Sequence, residues 1–283
     1  MPTVAYLGPE HTNTHRAALS RFGRRSQYRH APTVEEVFRL VERWQADYGV
    51  VPIENSLGGS VTHTLDRYIE CRDTPVRIHG EIDLPIQHSV IVRSGATLSD
   101  VRVLYSHPQA FEQCRAWLAR HLPKASRAET DSTAEAVQRL LSVRIGRWTS
   151  VWPLKHRAAI APPELAQAHG LKAVAIPQER ENRTRFLVLG LNEPPRATRS
   201  RTSLLFGLKD KPGALHDALV PFKRYGINLT KIESRPSKKR VWEYVFFIDF
   251  LGHEHDAKAQ RALAALRARA AFVRVLGSYP IGN

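Results

Sequence analysis

The spacing of apolar residues changes once along this chain, at residues 192–201, and that change limits the possible architectures more than any single motif does. Before it, short apolar runs that suit strands fall at 3–7, 48–53, 89–92, 101–105, 158–160 and 185–189. Between them lie segments of helical period, at about 14–22, from Thr33, from Pro108 through Leu122, and from Ser132. Thr33-Val34-Glu35-Glu36 and Ser132-Thr133-Ala134-Glu135 are capping boxes that mark two of the helix starts. In the first of these helices Val37, Leu40, Val41 and Trp44 share one face. Strands alternating with helices predict an α/β architecture with mostly parallel sheets. Within 192–201, Pro194-Pro195 followed by Arg196, Arg199 and Arg201 breaks both periods and reads as a linker. Past it the order becomes strand 202–208, helix 212–225, strands 228–235 and 241–250, helix 256–270 and strand 272–276. That βαββαβ order predicts a ferredoxin-like α+β domain. The expected division is therefore 1–192, a linker at 193–201, and 202–283.

Several functional classes drop out on composition. No apolar run approaches the ~20 residues that span a bilayer, and residues 1–8 lack the charged and apolar regions of a secretory signal. Cys71 and Cys114 are far apart and outside any C-x-x-C pattern, so neither a disulfide framework nor a cysteine zinc site is expected. A cytoplasmic protein with no membrane partner fits. Cys114 shares the apolar side of its helix with Phe111 and Leu118, which predicts burial rather than reactivity. The net charge of +15 raises nucleic acid as a partner. Its 32 arginines and 10 lysines are scattered, however, with small groups only at Arg21, Arg24 and Arg25, at 196–201 and at 238–240. Without a basic stripe or a nucleic-acid motif, no nucleic-acid partner is expected.

Four polar clusters stand at strand ends in the first part. They are Gly8-Pro9-Glu10-His11-Thr12-Asn13-Thr14-His15, Glu54-Asn55-Ser56, Ser106-His107-Pro108-Gln109 and Asn182-Arg183-Thr184-Arg185. Three lie between a strand and a helix, where unpaired backbone N–H groups and the helix dipole favour an anion. In open α/β sheets the crevice beyond the carboxyl ends of the strands is the usual ligand site, and a small carboxylate is the natural guest. Each cluster taken alone also suits ordinary helix caps and turns. His11 and His15 are spaced i, i+4 and His253 and His255 i, i+2, but neither pair has an evident third ligand, so no metal is expected.

Val51-Pro52-Ile53-Glu54-Asn55-Ser56 with Gly59-Ser60-Val61 and Thr64-Leu65-Asp66 resembles the prephenate dehydratase family signature. Ser106-His107-Pro108-Gln109-Ala110 with Gln113-Cys114, and Asn182 with Thr184-Arg185-Phe186, resemble it too. Gly213-Ala214-Leu215 and Glu233-Ser234-Arg235-Pro236 resemble the two phenylalanine-binding motifs of that family's regulatory ACT domain. The resemblance covers nearly the whole chain in the family's order. It implies a two-lobed, periplasmic-binding-protein-like catalytic domain with its active site between the lobes, followed by the ACT domain. With the first strand at Thr3, no room is expected for the chorismate mutase segment that some relatives carry in front.

The implied reaction is loss of carbon dioxide and water from prephenate to give phenylpyruvate in phenylalanine biosynthesis. Aromatisation drives it, so neither cofactor nor metal is implied. By resemblance Thr184 is the essential residue, acting as a hydrogen-bond donor or proton relay. Thr14, Asn55, Ser56, Ser106 and Gln109 are implied as neutral donors to the substrate carboxylates, with Phe186 beside them. Arg185 is either a carboxylate partner or a structural ion pair, and Glu54 either a buried carboxyl of raised pKa or structural. Gly213, Ala214, Leu215, Asn228, Glu233, Ser234 and Arg235 are implied as an allosteric phenylalanine site in a homodimer or homotetramer. His11 and Asn13 stand where the family usually has glycine and an aromatic residue. That departure leaves a prephenate decarboxylase that does not aromatise as an alternative. Arogenate stays open as the substrate, and a binding-protein-like cleft joined to an ACT domain also suits a non-catalytic amino-acid sensor, a rival of another class. The segment 147–156, with Trp148 and Trp152, reads as an insertion without an assigned role.

Overall fold

A computed structural model describes residues 1–142, 152–178, 180–238 and 243–281, and in these the chain builds three sheets. The first lobe holds β1 (Thr3–Leu7), α1 (Asn13–Phe22), β2 (Gln27–Ala31), α2 (Val34–Glu42), β3 (Tyr48–Asn55), the two-residue β4 (Gly59–Ser60) and α3 (Thr62–Glu70). β5 (Arg77–Pro85) runs out of it, and β6 (Ser89–Val92) opens the second lobe. There follow β7 (Val103–Ser106), α4 (Pro108–Gln113), α5 (Arg115–His121), β8 (Ser126–Glu129), α6 (Thr133–Leu141), β9 (Arg157–Ala161), α7 (Pro163–Ala168) and β10 (Lys172–Ala175). β11 (Arg183–Gly190) then returns to the first sheet.

The strand orders are β2-β1-β3-β11-β5 and β10-β6-β9-β7-β8. Both sheets are mixed, which corrects the expectation of mostly parallel ones. β11 pairs antiparallel with β5 and β3, and β6 antiparallel with β10 and β9. The crossing explains this. A chain that leaves a sheet along β5 and re-enters beside it along β11 must run back in the opposite sense. Two short segments therefore join the lobes, one ahead of β6 and one ahead of β11. They are tied together where Ile86 N donates to Asn182 O at 2.8 Å and Ile176 N to His88 O at 3.1 Å.

Past the crossing, β12 (Ser200–Gly207), α8 (Ala214–Arg224), β13 (Leu229–Pro236), β14 (Tyr244–Leu251), α9 (Ala257–Arg267) and β15 (Phe272–Pro280) give the expected βαββαβ order. Their sheet, β13-β14-β12-β15, is antiparallel throughout. One face packs Phe206, Ile248 and Phe250 under α8 and α9. The other sets Leu205, Val245, Phe247, Leu276 and Tyr279 into one core with Val37, Val41, Leu65 and Ile78 of the first lobe. Each such side chain, fully buried, contributes roughly 1.5–3 kcal/mol, so the C-terminal sheet is anchored to the first lobe and is no free appendage. Gly277 lies so close to the Ile78 backbone that a Cβ would have no room.

Local differences from the sequence reading have physical causes. α2 ends at Glu42, and Trp44 lies beyond it at φ 58 and 72% exposed, off the apolar face expected for it. The expected 108–122 helix breaks at Cys114, whose ψ of 5 lies outside the helical range. Ser132 caps α6 by accepting from Glu135 N, but Glu135 reaches back to Asp131 N, not to the cap itself. Trp148, and the start of the strand expected at 241, lie outside the described residues. Trp152 contributes its carbonyl to Arg157 Nε at 3.0 Å.

Candidate active site between the lobes

β11 carries the first ordering principle of the site. Successive side chains on a strand face opposite sides. Phe186 and Val188 pack with Tyr6, Ala17 and Ala18 beneath α1, whereas Leu187 and Leu189 pack in the core shared with the C-terminal sheet. Thr184 therefore stands on the α1 face and Arg185 on the other. Three consecutive motif residues do not make three neighbours in one site.

On the α1 face Thr184 meets Asn55, at the end of β3 and buried. Asn55 Nδ2 donates to Thr184 Oγ1 at 2.9 Å, to Asn182 Oδ1 at 2.8 Å and to Arg183 O at 3.1 Å. Its Oδ1 accepts from Leu57 N at 3.1 Å, Gly58 N at 2.8 Å and Gln113 Nε2 at 3.3 Å. Gln113 belongs to α4 in the second lobe, so Asn55 is where the lobes meet. Gln109 of the same helix is exposed, and its amide lies directly against Gly58, a contact that no side chain at 58 would allow. Thr14 is buried on the same side of α1 as Ala17 and Ala18. Thr12, not Thr14, caps that helix, its Oγ1 accepting from His15 N at 3.3 Å.

Other expected donors have their hydrogens engaged inside the protein. Ser106 is fully buried and donates to Ile160 O at 2.8 Å, stitching β7 to β9. Ser56 donates to Glu181 O at 3.1 Å and accepts from Arg183 N at 2.9 Å, so it fastens the returning strand. Phe186 is 1% exposed and forms the floor beneath α1. These three residues build the site and do not offer donors to the cleft. Ring and ionic contacts close its rim: His11 meets His169 of the second lobe edge-on at 6.0 Å, and Arg16, oriented by Asn13 Oδ1 at 3.0 Å, pairs with Glu164 of α7. His11 sits at φ 64, in the left-handed region that glycine fills without strain. His15 Nδ1 accepts from His11 N at 2.9 Å, and burial lowers the His15 pKa.

Arg185 and Glu54 form an ion pair with each other, one of the two alternatives read for each from the sequence. Arg185 points at the C-terminal sheet and pairs with Glu54 at 2.7 Å, Asp249 at 3.0 Å and Glu81 at 3.4 Å. Burial opposes its charge, but Asp249 and the other acidic neighbours outweigh that and hold its pKa above the ordinary value. Burial would by itself raise the Glu54 carboxyl, yet Arg185 and Lys231 together hold its pKa below the usual value, opposite to the raised pKa considered above. Lys231 of β13 reaches Glu54 at 3.1 Å and Ser60 Oγ at 2.9 Å.

Strand alternation also divides the motif on β13. Glu233 accepts from Ser60 Oγ at 2.9 Å and Arg235 pairs with Asp66 of α3 at 2.9 Å, so both face the first lobe. Ser234 faces the other way. With Leu208, Ala214, Leu215, Tyr244 and Phe246 it lines a cavity of about 770 Å³ beside α8. Gly213 begins α8 in the left-handed region at φ 78, and Asn228 is exposed ahead of β13. Cys114 is buried as expected, and burial pushes its thiol up to about 12. Among the described residues Glu193, Glu254 and His255 cluster, but both glutamates pair with Arg77 at 2.7 Å.

A family model described as prephenate dehydratase matches residues 4–194, and one described as ACT domain matches 202–268. A bifunctional chorismate mutase/prephenate dehydratase of Aquifex aeolicus is 43% identical over 279 residues, covering 98% of this chain and 73% of that protein. A solved prephenate dehydratase from Arthrobacter aurescens, in complex with L-Phe, aligns with a TM-score of 0.87 and 33% identity, over 98% of this chain and 90% of the other. A protein described as a novel type of quorum-quenching acylase aligns with a TM-score of 0.81 and 25% identity, over 99% and 98% of the two chains.

Proposed function

The chain belongs to the prephenate dehydratase family, and from that premise we propose how its residues divide the work. The enzyme is a lyase that converts prephenate to phenylpyruvate. The bond from the ring to its carboxylate breaks, and its electron pair enters the ring as carbon dioxide leaves. The ring hydroxyl departs with the C–O pair and takes up a proton to become water. The protein has two tasks: to hold the dianion in the cleft and to help hydroxide leave.

The hydrogen bond from Asn55 Nδ2 to Thr184 Oγ1 is the observation that carries the assignment of the second task. With a lone pair of Thr184 already engaged, its own hydrogen points away from Asn55 and is left to donate. A threonine hydroxyl is too weak an acid to act alone, so it donates to, or relays a proton toward, the departing oxygen. Thr14 and Gln109 supply neutral donors near the same opening. Donors fixed by the fold need no reorganisation as charge develops, which is the main source of electrostatic catalysis in a closed cleft.

For the C-terminal domain we propose phenylalanine as an allosteric ligand, held by Gly213, Ala214, Leu215 and Ser234, whereas Asn228 stands at the other end of β13, beside Leu251. The wall of the 770 Å³ cavity offers apolar surface beside the exposed start of α8. Glu233 and Arg235 act by a different route, since their side chains face α3 and β4 and would transmit the effect to the catalytic part. The ligand-bound assembly is a homodimer or homotetramer.

Incubating the purified protein with prephenate and identifying the product tests the reaction. Phenylpyruvate is the expected product. A non-aromatic keto acid would instead identify a decarboxylase, and binding without turnover a sensor. Fold likeness to the acylase transfers no activity by itself, and failure with prephenate would make acyl hydrolysis the next assay.

A further inference from the structure

The bond from Gln113 to Asn55 continues on its far side to His88, and both residues are built into the centre of the molecule. His88 ends the first crossing segment and is 6% exposed. Gln113 is the last residue of α4, and its carboxamide spans the gap between lobes. Gln113 Nε2 donates to Asn55 Oδ1 at 3.3 Å, while its Oε1 faces Asn182 Nδ2 at 3.0 Å and His88 Nε2 at 2.8 Å.

The polarity of this chain follows from its fixed end. Leu57 and Gly58 direct backbone N–H groups at one atom of Asn55, which must therefore be the oxygen. Gln113 must then present its nitrogen to that oxygen and its own oxygen to Asn182 and His88. His88 in turn must carry its proton on Nε2. Every member has one permitted orientation, and the series ends on the Asn55 hydrogen that meets Thr184.

The tautomer has a consequence at the other ring nitrogen. His88 Nδ1 is buried and has no hydrogen-bond partner among the described residues. Burial also lowers the His88 pKa, so the ring is neutral with a single N–H to give. That N–H goes to Gln113.

We propose that His88 and Gln113 are positioning residues, which hold the second lobe against Asn55 so that the Thr184 hydroxyl presents its hydrogen to the cleft. The inference rests on the assignment of Thr184 above. Without the His88 donor, Gln113 Oε1 keeps Asn182 alone and the carboxamide is held by one bond at each end. The cross-lobe contact to Asn55 is then looser, and so is the placement of the Thr184 hydroxyl.

Four single variants and two double variants, assayed with prephenate beside wild type, test it. His88→Phe removes the donor, and His88→Gln places an amide N–H where Nε2 stood. His88→Phe is expected to lower kcat about tenfold or more with KM within about threefold of wild type, while His88→Gln stays within about threefold in both. Gln113→Leu is expected to behave as His88→Phe, and serves in its place if that variant does not fold. In a Thr184→Ala background neither substitution should lower the residual rate further, because the group they position is gone. A purely structural role would lower both backgrounds alike, and that result overturns the proposal. So does wild-type kcat in folded His88→Phe or Gln113→Leu, or a tenfold loss in folded His88→Gln. Full activity in Thr184→Ala would instead overturn the assignment of Thr184.

Discussion

Replacing Arg185 by methionine separates two roles that the sequence leaves open for it. The side chain is 16% exposed and faces Glu54, Glu81 and Asp249 on the surface shared with the C-terminal sheet. Glu54 keeps Lys231 after the substitution, and Glu81 keeps Arg201. Asp249, 9% exposed at its side chain, keeps Ser203 Oγ as a donor at 2.6 Å but no cation among the described residues. The effect is therefore dominated by one stranded buried charge. Removing one partner of a buried pair costs about 3–5 kcal/mol, and with two of the three carboxylates still paired the lower end applies. At about 2–4 °C per kcal/mol for a chain of this size class, the thermal midpoint should fall by roughly 6–12 °C. If the stranded charge is the cause, adding Asp249→Asn to Arg185→Met should recover part of that loss. A double variant no more stable than the single one would refute the reasoning. KM for prephenate should stay within about threefold in Arg185→Met, since the side chain faces away from the cleft. A tenfold rise would return Arg185 to the substrate.

Two other perturbations follow from local geometry. His11 has a left-handed backbone at φ 64, a region that costs a side-chain-bearing residue about 1–2 kcal/mol. His11→Gly should thus be more stable than His11→Ala by about 1 kcal/mol in denaturant unfolding, the reverse of the usual order, and equal or inverted stabilities would remove the strain argument. Burial alone would raise the Asp66 carboxyl, but Lys238 and Arg235 hold its pKa below the ordinary value. A carboxylate depressed in the folded state stabilises above its unfolded pKa of about 4 and loses that contribution as the pH falls through the folded value. The difference in thermal midpoint between wild type and Asp66→Asn should then be constant from pH 8 to 5 and shrink below pH 4. A difference that grows on acidification would contradict it.

The parts of the fold visible in the sequence are those buried on both sides. β1, β3, β6, β7, β9 and β11 are recognisable as apolar runs because helices or a second sheet cover both their faces. The strands that the periodicity does not reveal, β2, β5, β8 and β10, are the edges of the two lobe sheets. β2 and β8 expose most of their residues, so Gln27–Ala31 and Ser126–Glu129 carry too little apolar signal to stand out. The candidate site shows a different limit. Thr184-Arg185, Glu54-Asn55 and Glu233-Ser234-Arg235 each read as one motif, yet each is split by strand alternation between the cleft or cavity and the contact between domains. The alternation was available in the sequence once the strands were drawn. His88 was not: it is a lone histidine before an apolar strand, and only its distance to Gln113 gives it meaning.

We propose above all that the Thr184 hydroxyl, held by Asn55 where the two lobes meet, assists the departure of hydroxide from prephenate. The most direct measurement is kcat for Thr184→Ala at saturating prephenate, with the product identified and the fold checked by its unfolding transition. The kcat is expected to fall by about 10²–10⁴ while phenylpyruvate remains the product of whatever activity is left. A folded Thr184→Ala enzyme that makes phenylpyruvate at the wild-type rate would contradict it.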